Sequence, residues 1–397
     1  MNQSKTIIIG VTGSIAAYKM ADAVSRLVKE GHDVYVLMTK NATQFIHPIT
    51  FETLTGHKAL IDTFDRNFNY NIEHVALAKR ADALLIAPAT ANVIGKLANG
   101  IADDMLTTTA IACHCPKLIA PAMNTDMYDS PILQDNLNKL KEFDYLVIEP
   151  DEGHLACGTD GRGRLPSVDT LLEHLYYALR SDRDLTGKKV LITAGPTREH
   201  FDPVRYITNH STGKMGYAIA TAAMRRGAEV TLVSGPTELP DPIRMKTIRV
   251  ESAAEMFDAV KEHSSDMDIL ILSAAVADYR PAVYHDQKMK KSDDPKQVEL
   301  EKTTDILSWL GTHKNNRQFL CGFAMETEDL EARARKKLQD KNADMIIANN
   351  LSDTGAGFAV DTNVISVITA NDTAQLPLMT KQEDAEEILD AIIRHMS

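Results

Sequence analysis

The 397-residue chain is long enough for two or three domains, and for two if each is an α/β layer structure. Its 43 Lys and Arg stand against 55 Asp and Glu, a net charge of −12 that argues against a partner with a polyphosphate backbone, such as nucleic acid. A hydrophobic content of 44% beside 25% charged residues argues against disorder and is enough for sizeable cores. The cysteines form neither a disulfide framework nor a zinc pattern, because Cys113 and Cys115 are spaced C-x-C while Cys157 and Cys321 stand apart. The apolar run after Lys5 is too short for a signal peptide, and no apolar stretch reaches the roughly 18 residues that span a bilayer. A soluble, cytoplasmic protein with no membrane partner is expected.

Residues 6–11 (TIIIGV) are apolar, β-branched and bounded by glycine, which predicts a buried parallel strand. From Ile15 to Glu30 apolar residues recur at helical spacing (Ala16, Met20, Ala23, Val24, Leu27, Val28), and the pattern stops at Gly31. Residues 33–38 (DVYVLM) form a second strand and complete a βαβ unit. The alternation continues with a strand over 81–88, a helix over 92–99 and strands near 117–120 and 145–148. A helix over 169–180 closes this half, and Ser181 to Asp184 with Gly187 reads as a linker. The plan then restarts with a strand at 189–193 (KVLIT), a helix over 215–226 ending at Gly227, and a strand at 229–233 (EVTLV). Two α/β domains follow, residues 1–184 and 185–397. The first is expected to be a flavodoxin-like doubly wound parallel sheet and the second a Rossmann-like α/β domain.

The first turn, Gly10-Val-Thr-Gly13-Ser14-Ile15-Ala16, lies just before a helix, where backbone N–H groups and the helix dipole favour a phosphate. Its G-x-x-G-x-x-A spacing is an incomplete dinucleotide fingerprint. The second strand also ends in Met38-Thr39-Lys40, where a ribose-binding acid would stand. Both departures favour a mononucleotide over NAD, and on this turn alone a purely structural strand-to-helix turn is the alternative. Two further loops follow strands: Pro88-Ala-Thr90-Ala-Asn92 and Pro121-Ala-Met123-Asn124-Thr-Asp-Met127. His74 stands in Asn71-Ile-Glu-His74-Val-Ala-Leu77 and, alone, reads more readily as a helix histidine than as a catalyst, a preference that the two Pro/Asn loops reverse. Together these motifs resemble those of the homo-oligomeric flavin-containing cysteine decarboxylases. The segment Gly153 to Arg164 carries four glycines, Cys157, Arg162 and Arg164, and this backbone freedom suits a flap closing over substrate. It is similar to the substrate clamp of the phosphopantothenoylcysteine decarboxylases.

The resemblance implies FMN held by Gly13, Ser14, Ile15, Thr39, Pro88, Thr90 and Asn92. It implies substrate contacts from Met123, Asn124, Arg162 and Arg164. In the implied chemistry the substrate thiol is oxidised to a thioaldehyde, which gives decarboxylation an electron sink. The enethiolate is then reduced, with no net redox change. His74 assists the oxidative half, Asn124 holds the carboxylate and Cys157 returns the proton, help of about 10²–10⁴-fold for a general acid.

In the second half, Ala194-Gly-Pro-Thr-Arg-Glu199 is followed by Asp202-Pro-Val-Arg205-Tyr-Ile-Thr-Asn209-His-Ser211-Thr-Gly213-Lys214-Met215-Gly216. This is not a Walker A loop, since Met215 follows Lys214 and the first glycine is missing. Further on come Ser273-Ala274-Ala-Val-Ala-Asp278 and Lys288-Met-Lys290-Lys291. A basic run alone is usually a solvated face, but beside small residues it reads as a triphosphate clamp. These motifs closely resemble the phosphopantothenate–cysteine ligase domain of the bacterial bifunctional coenzyme A biosynthetic family, and the likeness covers nearly the whole chain. It implies activation of 4′-phosphopantothenate by CTP to an acyl-cytidylate, which the amine of L-cysteine attacks. Arg205 and Asn209 would contact that intermediate, Asp278 would read the cytosine, and Lys288 would act on phosphate or the acyl oxygen. Ser273, Ala274, Thr303, Thr304, Asp305, Ile306, Phe323, Lys337 and Lys341 would complete the CTP site, with Mg²⁺ or Mn²⁺ arriving on the triphosphate. Thr303-Thr304 replaces the family's more usual Asn-Pro before Asp305.

Two other readings compete. A two-Rossmann NAD(P) oxidoreductase is disfavoured by the imperfect fingerprints. A regulatory flavin-binding protein is disfavoured by the joint presence of His74, Asn124 and Cys157. The resemblance further implies trimers through the first half, dimers through the second, and a particle of twelve subunits. Against the acidic whole, Arg162, Arg164, Lys288, Lys290 and Lys291, with Arg333, Arg335, Lys336, Lys337 and Lys341 on one helix, concentrate positive charge where small anions would dock.

Overall fold

The computed structural model describes residues 4–63, 73–156, 158–289, 297–326, 330–350 and 360–396. The chain divides into two compact units, residues 1–181 and 182–397.

The first unit runs β1 (Thr6–Val11), α1 (Lys19–Lys29), β2 (Asp33–Met38), α2 (Pro48–Thr55), α3 (Glu73–Arg80), β3 (Ala83–Ala89) and α4 (Ala91–Ala98). It continues with α5 (Met105–Ala112), β4 (Lys117–Pro121), α6 (Thr125–Tyr128), α7 (Pro131–Glu142), β5 (Tyr145–Val147), β6 (Asp151–His154), β7 (Asp160–Arg164) and α8 (Val168–Leu179). The five main strands are parallel in the order β2-β1-β3-β4-β5, the flavodoxin-like order, and reverse direction of travel between β1 and β3. The run TIIIGV is apolar throughout because both sheet faces are covered. Ile7, Ile9 and Val11 pack with Met20 and Leu27 of α1 and Leu171 and Leu175 of α8, whereas Ile8 joins Ile94, Leu106 and Leu137 on the other side. The helix read from Ile15 is a single 3₁₀ turn over Ile15–Tyr18 before α1 begins, with Ser14 capping the turn through Ala16 N–H at 3.4 Å.

The second unit begins with β8 (Lys189–Ala194), the hairpin β9 (Arg198–His200) and β10 (Tyr206–Thr208), α9 (Lys214–Arg225), β11 (Glu229–Ser234), β12 (Lys246–Arg249), α10 (Ala253–His263) and β13 (Ile269–Leu272). Then come the pair β14 (Tyr279–Pro281) and β15 (Leu300–Lys302), α11 (Ile306–His313), β16 (Phe319–Glu326), α12 (Leu330–Asp340) and β17 (Met345–Asn350). It ends with β18 (Thr362–Asn363), β19 (Ile365–Thr369), β20 (Thr373–Gln375), β21 (Met379–Thr380) and α13 (Lys381–Met396). Its sheet has the order β12-β11-β8-β13-β16-β17-β19-β20. The first six are parallel in the Rossmann sequence, and β19 and β20 add an antiparallel margin. One face packs Leu191, Leu270, Leu320 and Ile346 against Met256, Leu310 and Leu338. Arg226, only 3% exposed, fixes the start of this unit: it pairs with Asp184 and Asp390, and its carbonyl accepts Leu185 N–H at 3.1 Å. The stretch read as a linker is therefore bonded into the second unit from Asp184 onward.

Candidate functional site

In an open parallel sheet, ligands bind outside the carboxyl ends of the strands where the strand order reverses. In the first unit that point lies between β1 and β3, and the loops after these strands are locked together. Thr12, fully buried, donates its hydroxyl to the Pro88 carbonyl at 2.6 Å and accepts Thr90 N–H at 3.0 Å. Sequence reading passed over Thr12, since nothing in one turn announces a bond to a loop 76 residues away. Gly13 lies so close to Asn41 that a Cβ would come within 2.6 Å of the asparagine Cβ. Only glycine lets the turn approach in this way. Thr39 is buried and its side chain accepts Ala42 N–H at 3.3 Å, closing the turn after β2. Ser14 caps the 3₁₀ turn, and Ile15, beside it, is 58% exposed. Pro88 is buried, Thr90 half-buried and Asn92 exposed at the opening turn of α4. A narrow glycine cradle, clasped loops and an exposed apolar side chain together suit a flat, phosphate-bearing aromatic cofactor.

Two further pieces carry predicted site residues. Helix α3 leads directly into β3 and packs Leu77 and Ala78 into the core, and His74 in its first turn is half-buried. After β4, Asn124 caps α6 by accepting Asp126 N–H at 2.8 Å through Oδ1, so the orientation of its amide is fixed by the helix it starts. The glycine-rich segment is a β-hairpin rather than an open loop, with β6 and β7 antiparallel. It lies directly on the Met123–Thr125 turn: Met123 N–H donates to the Gly163 carbonyl at 3.0 Å, and a Cβ on Gly163 (φ 132°) would fall 2.2 Å from the Met123 carbonyl oxygen. The glycines thus permit close docking of a formed flap. Cys157, expected in the flap, lies outside the described residues.

The flap arginines part company. Arg162 stands over the Tyr128 ring, 5.9 Å from its centroid, and pairs with Glu152 at 3.8 Å. Burial first, then the hydrogen bond to Glu149 at 2.6 Å, pushes the Tyr128 hydroxyl up to about 12. Arg164 instead lines a surface cleft of about 430 Å³ with Lys19, Arg26, Asp151, Ser167 and Asp169. Arg26 is paired with Asp169 at 2.7 Å. Lys19 donates to the Leu165 carbonyl at 2.9 Å, and burial, then repulsion from Arg164, lowers its pKa. An anion in the cleft would relieve that repulsion. Lys19 sits on the polar side of the opening turn of α1, and the sequence offers no sign of its closeness to Arg164.

In the second unit the strand order reverses between β8 and β13, and the loops after these strands interlock there too. Ala274 N–H donates to Thr193 Oγ1 at 3.1 Å, Ala277 N–H to Thr197 Oγ1 at 3.0 Å, and Ala275 N–H to the Gly195 carbonyl at 2.9 Å. Asn209 joins them, its amide donating to the Ala275 carbonyl at 2.9 Å. The chain then reaches Gly213, the N-cap of α9. Thr303, the departure from the usual motif, ties two loops: its hydroxyl donates to the Ala277 carbonyl at 2.6 Å and its N–H to the Asp278 carbonyl at 3.0 Å. Ser273 and Ala274 are half-buried, and Thr304 and Asp278 lie in the same joined loops.

A second group gathers at α11 and α12. Lys341 pairs with Asp305 at 2.7 Å, and Lys337 donates to the Phe323 carbonyl at 2.9 Å. Burial opposes ionisation of Asp305, but Lys341 and the Ser308 N–H outweigh it and hold the carboxyl below its ordinary range. Ile306 is buried as the first residue of α11. The basic residues of α12 do not form one face, however. Arg335 is bonded to Glu331, Thr373 and the Thr369 carbonyl, on the side of β19 and β20, and so is withdrawn from the group around Lys337 and Lys341. Arg205 is bonded to Asp202 and to the Met289 carbonyl, and Lys288 beside it is exposed. Lys290 and Lys291 lie outside the described residues. Among the described residues no group of three or more His, Cys, Asp and Glu gathers to hold a metal.

Residues 1–179 match the Flavoprotein family, and residues 185–396 match the DNA/pantothenate metabolism flavoprotein C-terminal domain. The chain is 48% identical over 396 residues to the coenzyme A biosynthesis bifunctional protein CoaBC of Bacillus subtilis (strain 168), covering 99% of this chain and 97% of that protein. It is 41% identical over 392 residues to the Escherichia coli (strain K12) protein of the same name, covering 98% and 97%. Among solved structures it is similar to the C-terminal domain of a CoaBC protein, at 50% identity over 53% of this chain and 98% of that one, with a TM-score of 0.46. It is also similar to a mutant PPC decarboxylase complexed with pantothenoylaminoethenethiol, at 27% identity over 44% of this chain and 97% of that one, with a TM-score of 0.40. With both domains matched in order and relatives matched end to end, the chain belongs to the CoaBC family of bifunctional coenzyme A biosynthesis enzymes, in which a flavoprotein decarboxylase half is joined to a ligase half.

Proposed function

We propose that residues 185–397 ligate L-cysteine to 4′-phosphopantothenate using CTP, and that residues 1–184 convert the product to 4′-phosphopantetheine and CO2 using FMN. The observation that carries this reading is that, in both units, the motif loops converge on the carboxyl edge of the sheet where the strand order reverses. In the ligase step the phosphopantothenate carboxylate attacks the α-phosphorus of CTP and pyrophosphate leaves. The cysteine amine then displaces CMP from the acyl-cytidylate. Asp278 reads the cytosine, Asn209 and Arg205 orient the acyl-cytidylate, and Lys288 meets the charge that develops on phosphate or acyl oxygen. Ser273, Ala274, Thr303, Thr304, Asp305, Ile306, Phe323, Lys337 and Lys341 line the nucleotide, and Mg²⁺ or Mn²⁺ enters on the triphosphate.

In the decarboxylase half, Gly13, Ser14, Ile15, Thr39, Pro88, Thr90 and Asn92 hold FMN in the cradle that Thr12 clasps. FMN, when bound, supplies the two-electron acceptor and donor without which a cysteine carboxylate has no route to CO2. Asn124 presents its side-chain amide to the substrate carboxylate beside Met123, and His74 assists removal of a proton. Arg162 and Arg164, the latter with Lys19, meet the anionic parts of the substrate, and Cys157 returns a proton at the end of the cycle. Exposed Val204, Tyr206, Ile207, Tyr279, Val283 and Tyr284 support self-association through the ligase half. The decarboxylase half would associate as trimers, giving a particle of twelve subunits. No helix among the described residues is long and apolar enough to cross a membrane, and the cytoplasm is the compartment proposed. The visible spectrum of the purified protein tests the cofactor assignment. A yellow chromophore that is released as FMN on denaturation is expected, whereas a colourless protein that binds NADH would overturn it.

A further inference from the structure

Asp202 opens the turn between β9 and β10 and is fully buried, with 0% exposure. Its Oδ1 accepts the N–H groups of Val204 and Arg205, both at 2.9 Å, which closes the turn. Asparagine would do that much. Its Oδ2 does something else: it accepts both Nε (2.9 Å) and Nη2 of Arg205, and also Met289 N–H at 3.2 Å. The same Arg205 Nη2 donates to the Met289 carbonyl at 3.0 Å. One carboxylate and one guanidinium thus grip both backbone polar groups of a residue 87 positions away. The Arg205 guanidinium holds the Asp202 carboxyl far below the usual carboxylate range, so the grip is charged at any physiological pH.

This grip fixes a stretch with no regular structure of its own. Residues 282–289 form neither helix nor strand; Ala282 N–H donates to the Glu299 carbonyl at 2.9 Å at the start of the stretch, and besides Met289 its far part is fastened by His285 N–H donating to the Phe201 carbonyl at 3.0 Å. The fastenings at His285 and Met289 reach the residues just before and at Asp202, and exposed Lys288 stands between them. The turn also leads through β10 to Asn209, whose amide is held on the Ala275 carbonyl. One buried carboxylate therefore organises the segment that carries both Asn209 and the support of Lys288.

We propose that Asp202 is a positioning residue of the ligase half, acting through Arg205 and the Met289 backbone to fix where Lys288 stands. The inference rests on the assignment of Lys288 to the ligation step. Displacing a working group by about 1 Å is enough to cost on the order of 10²-fold in rate. Asp202→Asn keeps an acceptor for the turn but loses the charged grip.

The test is a double-mutant cycle in the full chain with Asp202→Asn, Lys288→Gln and the pair, following pyrophosphate release with 4′-phosphopantothenate, cysteine, CTP and Mg²⁺. Decarboxylation of supplied 4′-phosphopantothenoylcysteine, measured on the same samples, reports the integrity of the other half. The expected result is a fall in ligation kcat on the order of 10²-fold for Asp202→Asn, with KM for CTP changed less than about threefold. In the Lys288→Gln background the same substitution should cost less than about threefold more, because the positioned group is already gone. Multiplicative losses in the double variant would overturn the proposal, as would a wild-type kcat for Asp202→Asn. If Lys288→Gln ligated at the wild-type rate, the Lys288 assignment itself would fall and the proposal with it. Should Asp202→Asn not fold, Asp202→Glu serves in its place: it keeps the charge but displaces the fork, and the same non-additivity with Lys288→Gln is required.

Discussion

Thr12 shows how much of the first site depends on one hydroxyl. It satisfies the Pro88 carbonyl and the Thr90 N–H in a place closed to water. Thr12→Val keeps the shape and orphans both groups, a cost of about 1–3 kcal/mol for a buried unmade hydrogen bond. We expect a lower Tm and a lower ratio of flavin absorbance to protein absorbance, with Thr12→Ser restoring both. A loss of stability with full flavin occupancy would show that the clasp serves the fold alone. Cys157 makes a separate claim at the same scale. Cys157→Ser should still release CO2 from 4′-phosphopantothenoylcysteine while the yield of 4′-phosphopantetheine thiol collapses, at least 10²-fold if the thiol is a general acid. Equal yields of CO2 and thiol product would remove it from the reaction. The loop positions of Pro88 and Asn124 were legible here, because both stand in compact motifs that follow strands. The pairings of Thr12 with Pro88, Asp202 with Met289 and Lys19 with Leu165 were not, because the partners stand 76 or more positions apart in the chain.

At the scale of elements, periodicity carried the alternating strands and helices, since one apolar repeat decides which face is buried. It did not carry the flap, where Asp151–His154 and Asp160–Arg164 have no apolar repeat and pair through backbone bonds and the charged pairs Glu152–Arg162 and His154–Asp160. Nor did it carry the division of α12, since a run of cations in sequence does not say which of them meet Glu331 and Thr373 across the helix face. Helix α13 holds a different kind of surprise. Asp384 has 0% exposure, and among the described residues neither carboxylate oxygen has a hydrogen-bond partner. Burial first, then Glu383, raises its pKa from 3.8 to about 7, against an opposing pull from Lys381. A raised carboxyl binds its proton more tightly in the folded state, so stability is greatest below the unfolded pKa and is lost as pH rises toward the folded value. The shift corresponds to at most about 4 kcal/mol, fully lost above about pH 7. Asp384→Asn, which does not titrate, should therefore raise Tm relative to the parent more at pH 8 than at pH 4.5. An equal change at both pH values would mean that the carboxyl titrates normally.

Over the whole molecule, the net charge of −12 and the site chemistry are reconciled by where the cations stand. Arg164 and Lys19 share one cleft, while Lys337 and Lys341 flank another set of loops, so small anions find positive ground on an acidic protein. The restart of the α/β plan after the first half was legible because two similar strand–helix–strand segments follow one another, and each has its own sheet in the structure. The antiparallel margin of the second sheet was not, since β19 and β20 are short strands without a helical crossover to announce them. The central claim is that one chain performs both reactions in sequence. Its most direct test supplies the purified full-length protein with 4′-phosphopantothenate, L-cysteine, CTP and Mg²⁺ and quantifies every product. Equimolar 4′-phosphopantetheine, CO2, CMP and pyrophosphate are predicted. Pyrophosphate without CO2, CO2 only from supplied 4′-phosphopantothenoylcysteine, or no CTP turnover at all would contradict it.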